Sequence, residues 1–323
     1  MHPVTDTGFS SHSAPKPAGS TGVIRGGILA AQWIPTNADG SLKRLALARH
    51  LAWLRGTGIH GVLALGSTGE FARMSLKERE AVLAAVIELA APLPVIANIS
   101  SIRIDEVIAL GQMARRLGAV GAALMPPHFY PVSQADMLAF FLRAAHEVDL
   151  PFYLYNFPEL TGNRIALETV SAFADQANMA GIKQSGGEFA YHHDLIRLGR
   201  EKDFSVFSGA DTRLPEVFAL GAKGCIGGLV NIVPELMVQI YRICREGAAG
   251  DLTVTQARMV EVGRIVDQMK FPLNVACGIE ARGFDPGEPK SVVSQDSEAL
   301  YSKIVADFRT RFADWGLTLP KGT

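Results

Sequence analysis

Short apolar runs alternate with longer amphipathic segments along nearly the whole chain, at a spacing of roughly 25–30 residues. The apolar runs are Val23–Ala30, Gly61–Leu65, Pro94–Ile99, Val120–Met125, Pro151–Asn156, Met179–Gln184, Ser205–Ser208 and Gly224–Gly228. Several are apolar throughout, as in Val62-Leu63-Ala64-Leu65, which suits parallel strands covered on both faces. Between them, helical spacing marks Leu42–Arg55, Leu76–Ala90, Arg103–Leu117, Gln134–Val148, Ala166–Ala174, Phe189–Arg200 and Leu214–Leu220. Ser75-Leu76-Lys77-Glu78 reads as a capping box, and Gly118 and Gly221 stand where helix ends favour a left-handed residue. Strand–helix units repeated without a long linker predict an α/β fold, a right-handed (β/α)8 barrel, over residues 22–232. A doubly wound open sheet is the runner-up.

The chain continues past the eighth strand. Pro234–Glu246, Val254–Met269 and Ser294–Phe312 read as three more helices, a C-terminal helical region over 233–315 that packs on the barrel or serves an oligomer surface. Residues 1–21 are mixed His, Ser, Pro and Gly without the apolar stretch of a signal peptide, so a disordered tail is expected there. A short tail is expected at 316–323. A net charge of −1 argues against nucleic acid or an anionic membrane as the main partner, because phosphate binding needs a basic surplus. No apolar run is long enough to span a bilayer. The three cysteines, Cys225, Cys244 and Cys277, are widely spaced, which fits reduced thiols in a cytoplasmic setting better than a disulfide framework or zinc cluster.

In a barrel, chemistry sits where strands end and the following loops begin. Among the lysines, Lys16 and Lys321 lie in tails, and Lys43, Lys77, Lys202, Lys270, Lys290 and Lys303 are expected on or beside solvated helix faces. Lys223 precedes strand 8, on the opposite barrel face. Lys183 alone ends an apolar strand and points toward the upper mouth. Loss of water there disfavours an ammonium against the neutral amine, which attacks carbonyls to form imines. The competing reading is a lysine at the rim or paired with Glu188. Tyr155 ends the neighbouring strand, where its phenol reaches toward the same amine and can relay protons; otherwise it is a core aromatic. Gly66-Ser67-Thr68-Gly69 offers hydroxyls and backbone N–H groups to a carboxylate or phosphate, or is a plain turn.

Other motifs are decoys. Gly56-Thr57-Gly58-Ile59-His60-Gly61 precedes a strand instead of following one, the wrong context for a dinucleotide site. His192 and His193 are adjacent on a helix, pointing about 100° apart, with no third ligand nearby in sequence. Asn98-Ile99-Ser100 fits a glycosylation acceptor but ends a buried strand.

Taken together, Gly66-Ser67-Thr68-Gly69-Glu70, Tyr155-Asn156-Phe157-Pro158 and Gly181-Ile182-Lys183-Gln184-Ser185 resemble the dihydrodipicolinate synthase / N-acetylneuraminate lyase family. Phe207-Ser208-Gly209-Ala210-Asp211 and Gly221-Ala222-Lys223-Gly224-Cys225-Ile226-Gly227 extend the likeness over about residues 22–315. The resemblance implies a TIM barrel with a C-terminal helical region, usually a homotetramer, that binds pyruvate or another 2-oxo acid without a metal or cofactor. By position, Lys183 would form the imine and Tyr155 would relay protons. Ser67 and Thr68 would hold the substrate carboxylate, with the backbone carbonyl of Ile226 near the nucleophile. The family's inter-subunit tyrosine falls on either Phe129 or Tyr130.

Departures bear on substrate. Dihydrodipicolinate synthases carry an arginine two residues after the proline of Tyr-Asn-x-Pro, where Leu160 stands here and no bidentate carboxylate contact is available. Sialic-acid lyases place an acid after the strand-7 aspartate and a serine at the strand-8 loop, where Thr212 and Gly228 stand. The expectation is a class I lyase that cleaves a 2-keto-3-deoxy sugar acid to pyruvate and an aldehyde. A dehydratase or hydratase-aldolase of the same chemistry, a catalytically silent 2-oxo-acid binder, and a zinc-dependent class II aldolase are the alternatives.

Overall fold

The apolar runs become eight short strands, all of whose residues are buried: β1 (Gly27–Ala31), β2 (Gly61–Ala64), β3 (Val95–Asn98), β4 (Gly121–Leu124), β5 (Phe152–Asn156), β6 (Met179–Gln184), β7 (Ser205–Ser208) and β8 (Gly224–Gly227). The computed structural model describes residues 22–317, so the expected tail at 1–21 and most of that at 316–323 lie outside the described residues. Each strand pairs in parallel with the next, and β8 pairs with β1 to close the barrel. The open-sheet alternative is thereby excluded.

The strands are connected by α1 (Arg44–Gly56), α2 (Leu76–Ala90), α3 (Ile104–Leu117), α4 (Gln134–Glu147), the single turn α5 (Pro158–Thr161), α6 (Leu167–Gln176), α7 (Phe189–Lys202) and α8 (Leu214–Leu220). The Ser75–Glu78 capping box opens α2 with both reciprocal bonds made. Gly118 and Gly221 end α3 and α8 in the left-handed conformation.

Two differences from the sequence reading concern the ends of the barrel. Val23–Gly26 do not join the first strand, because Gly27 turns the chain at φ +104°. Ile24 instead lies beneath the barrel, where its N–H and carbonyl bond the Tyr153 hydroxyl at 3.0 and 2.9 Å. The Tyr153 ring fills the lower interior over Gly121 and Gly181, where a Cβ would come within 2.5 and 3.1 Å of it. Burial pushes this phenol up to about 12. After β8, α9 (Pro234–Glu246) packs on α8 and β1, and its Tyr241 ring meets Phe218 and His60. It occupies the place of the barrel's eighth helix.

Beyond α9 lie α10 (Leu252–Val266), α11 (Leu273–Ala281) and α12 (Gln295–Asp314). Among the described residues, four α-helices therefore follow β8 where three were expected. The unexpected one, α11, has Asn274–Ile279 all buried between its neighbours. A helix buried on nearly every side carries little amphipathic period to read. Among the described residues, no helix is long and apolar enough to cross a membrane.

Candidate active site

The Cα register of β5 and β6 sets Tyr155 directly beside Lys183, so both side chains leave the same face. Lys183 is 6% exposed and Tyr155 1%. The Lys183 Nζ donates to the Tyr155 hydroxyl at 3.0 Å and lies 4.3 Å from the phenol ring centroid. Glu188 is instead paired with Arg164 at 2.6 Å, so the rival pairing of Lys183 is not the one formed.

The loop after β2 completes a chain of polar atoms. Ser67 Oγ lies 3.3 Å from the Tyr155 hydroxyl, and Thr68 beside it is 4% exposed. These two residues open a 3-10 turn, Ser67–Gly69, flanked by two non-glycine residues in the left-handed region, Leu65 at φ +58° and Glu70 at φ +60°. Such conformations persist only where their surroundings hold them. Asn98 does so at Leu65, donating its Nδ2 to the Leu65 carbonyl at 2.6 Å, while Ser100 Oγ donates to Asn98 Oδ1. The glycosylation motif is thus internal scaffolding.

The loop after β7 passes beside the Lys183 side chain, and the loop after β8 meets the Ser67–Gly69 turn. A Cβ on Gly209 would sit 2.2 Å from Ser185 Oγ and 3.4 Å from Lys183 Cε, so the glycine leaves room for both. Gly228 lies against Thr68, where a Cβ would come 3.3 Å from Oγ1. The Asp211 carboxylate fastens these two loops: it accepts the Leu229 N–H at 2.8 Å and the Cys225 thiol at 3.3 Å. Burial, the largest cause, pushes its pKa up against those bonds. Ile226 is buried in β8, two strands from Lys183.

Ser185, which the sequence offers only as part of the strand-6 motif and without a role, follows Lys183 by two positions, the spacing that returns to one face. Lys290 was misread. Its expected solvated ammonium is 6% exposed and bonded to Glu70 at 3.1 Å. Phe129 and Tyr130 stay on the surface, 81% and 66% exposed, with rings in edge contact, and Phe129 takes φ +81°. Leu160 is 52% exposed on α5, after β5. His192 is buried with Nε2 3.0 Å from Ser208 Oγ, whereas His193 is exposed. Among the described residues, no group of three or more His, Cys, Asp or Glu side chains is placed to hold a metal.

The sequence matches the profile of the dihydrodipicolinate synthetase family over residues 25–307. The chain belongs to that family. A 4-hydroxy-tetrahydrodipicolinate synthase of Methanosphaerula palustris is 33% identical over 87% of this chain and 99% of its own. A probable 2-dehydro-3-deoxy-D-pentonate aldolase of Escherichia coli, YjhH, is 32% identical over 70% of this chain and 77% of its own. The crystal structure of E. coli YagE, a prophage protein of the dihydrodipicolinic acid synthase family in complex with pyruvate, superposes with a TM-score of 0.81. It is 26% identical and covers 88% of this chain and 98% of YagE. The dihydrodipicolinate synthetase family consists of lyases that work through a lysine imine, and this chain is a lyase of that class.

Proposed function

We propose that the protein cleaves a 2-keto-3-deoxy sugar acid by a metal-independent retro-aldol reaction, releasing pyruvate and an aldehyde. The observation that carries this reading is the Lys183–Tyr155–Ser67 chain of polar atoms at the mouth of the barrel, with Lys183 and Tyr155 buried and Ser67 half-buried. The neutral amine of Lys183 attacks the C2 carbonyl, and loss of water gives the iminium. A base then takes the proton of the C4 hydroxyl, the C3–C4 bond breaks, and its electron pair enters the iminium as an enamine while the aldehyde leaves. Protonation at C3 and addition of water return pyruvate and the free amine. Tyr155 relays these protons between Lys183 and Ser67. Ser67 and Thr68 hold the substrate carboxylate, the Ile226 carbonyl faces the iminium, and Tyr130 contributes across a subunit contact in a homotetramer. No cofactor is required.

The aldolase reading is favoured over lysine biosynthesis by Leu160, which offers no charge to a second carboxylate. The similarity to YjhH supports the same choice. The test is a screen of 2-keto-3-deoxy sugar acids with two readouts, pyruvate release and water loss. Pyruvate formed in step with an aldehyde is the expected result. A dehydrated 2-oxo acid without pyruvate would reassign the reaction to a dehydratase, and no turnover with any substrate would favour a silent binder.

A further inference from the structure

The segment between α11 and α12 is stitched to the loops at the barrel mouth. Trp33 Nε1 donates to the Pro286 carbonyl at 2.8 Å, and Glu288 N–H donates to the Thr36 carbonyl at 2.7 Å. Gly287, at φ +77°, comes so near that a Cβ would lie 2.4 Å from the Thr36 nitrogen. Lys290 follows. Its Nζ donates to the Ile34 carbonyl at 2.6 Å and to Glu70 Oε2 at 3.1 Å, and it lies 4.9 Å from the Trp33 ring centroid. Both side chains of the ion pair are under one-tenth exposed, 6% for Lys290 and 7% for Glu70. Arg73 also approaches Glu70, at 3.5 Å, from a side chain that is 43% exposed.

Glu70 is the left-handed residue that ends the Ser67–Gly69 turn. Glu70 is two residues from Thr68 in the chain, on a loop that faces an anionic substrate group if Ser67 and Thr68 bind a 2-oxo acid. Left alone, a buried negative charge there opposes the incoming carboxylate, and an unheld left-handed residue loosens the turn. Lys290 answers both.

We propose that Lys290 is a positioning residue for recognition of the 2-oxo-acid carboxylate, acting through Glu70. It holds the turn that presents Ser67 and Thr68, and it cancels the charge of Glu70. This rests on the carboxylate-binding reading of Ser67 and Thr68. The C-terminal helical region thereby takes part in substrate binding through a side chain that touches no substrate.

The test compares wild type with Lys290→Met, Lys290→Arg and the double variant Glu70→Gln/Lys290→Met. Lys183 imine formation is trapped by borohydride across concentrations of pyruvate and of its uncharged analogue methyl pyruvate. Lys290→Met raises the half-saturating pyruvate concentration about tenfold, with little change for methyl pyruvate. Lys290→Arg stays near wild type. The double variant, with both charges gone, recovers part of the pyruvate affinity, which a purely structural role would not produce. Equal losses for the two ketones, unchanged pyruvate affinity, or a double variant no better than Lys290→Met would overturn the proposal. Should Lys290→Met fail to fold, the double variant carries the test, and a selective pyruvate defect smaller than tenfold is then expected; equal behaviour toward both ketones refutes it. A wild-type enzyme that traps neither ketone would sink the imine reading itself, a result distinct from any of these.

Discussion

Removing one oxygen atom from Tyr155 separates catalysis from folding. The hydroxyl stands between Lys183 Nζ at 3.0 Å and Ser67 Oγ at 3.3 Å, on a residue 1% exposed. Tyr155→Phe keeps the ring, its 4.3 Å contact with the Lys183 Nζ and its stacking on Phe157. What is lost is the proton relay. General acid–base groups contribute about 10²–10⁴ in rate, so kcat for pyruvate release should fall by that factor, or ~3–5 kcal/mol on the barrier. Stability should change by about 1–3 kcal/mol, the cost of losing the two hydrogen bonds of this hydroxyl and leaving the Lys183 amine without its acceptor. The assay pairs steady-state pyruvate release with thermal unfolding of the same preparation. On prolonged incubation the variant still accumulates a borohydride-trapped adduct, because the nucleophile is intact. A Tyr155→Phe enzyme that turned over within about threefold of wild type would refute the relay.

A second pair of perturbations addresses the polar network beneath the β1 and β8 loops. Asn231 is fully buried and bonds the Trp33 N–H, the Ala31 carbonyl and the Gly228 carbonyl at 3.0, 2.8 and 2.9 Å. Asn231→Ala strands those groups and should cost about 3 kcal/mol in urea unfolding; a loss under about 1 kcal/mol would contradict that role. His50, 3% exposed, has its pKa lowered from 6.5 to about 4, chiefly by burial and also by the Arg282 charge, against a bond to the Asn231 carbonyl. The unfolded chain therefore takes up a proton between pH 6.5 and 4 that the folded chain refuses. Stability falls through that window by about 3 kcal/mol on this account, and His50→Gln should flatten the decline. Parallel acid limbs for the two proteins would show that His50 is not responsible.

The barrel was readable because its strands are buried on both faces and its helices on one, two patterns that survive in a single sequence. Lys183 was readable by elimination, as the one lysine ending an apolar strand, and the β5–β6 register set Tyr155 beside it. Lys290 was not. Its immediate neighbours Pro289 and Ser291 suggest a solvated loop, and the partner that buries it, Glu70, lies 220 positions away. The left-handed turns at Leu65 and Glu70 were equally hidden, since neither residue type advertises that conformation. Gly27 had the opposite fault: it sat inside an apolar run and its break in the strand was invisible there. Local periodicity thus locates the scaffold and its strand ends, while long-range pairs decide how the loops are held.

Borohydride reduction in the presence of pyruvate, followed by peptide mass mapping, addresses the amine of Lys183 most directly. The account predicts a single stable adduct on the peptide bearing Lys183, absent without pyruvate and absent in Lys183→Ala. No adduct at any pyruvate concentration, or an adduct of equal yield in Lys183→Ala, would contradict it.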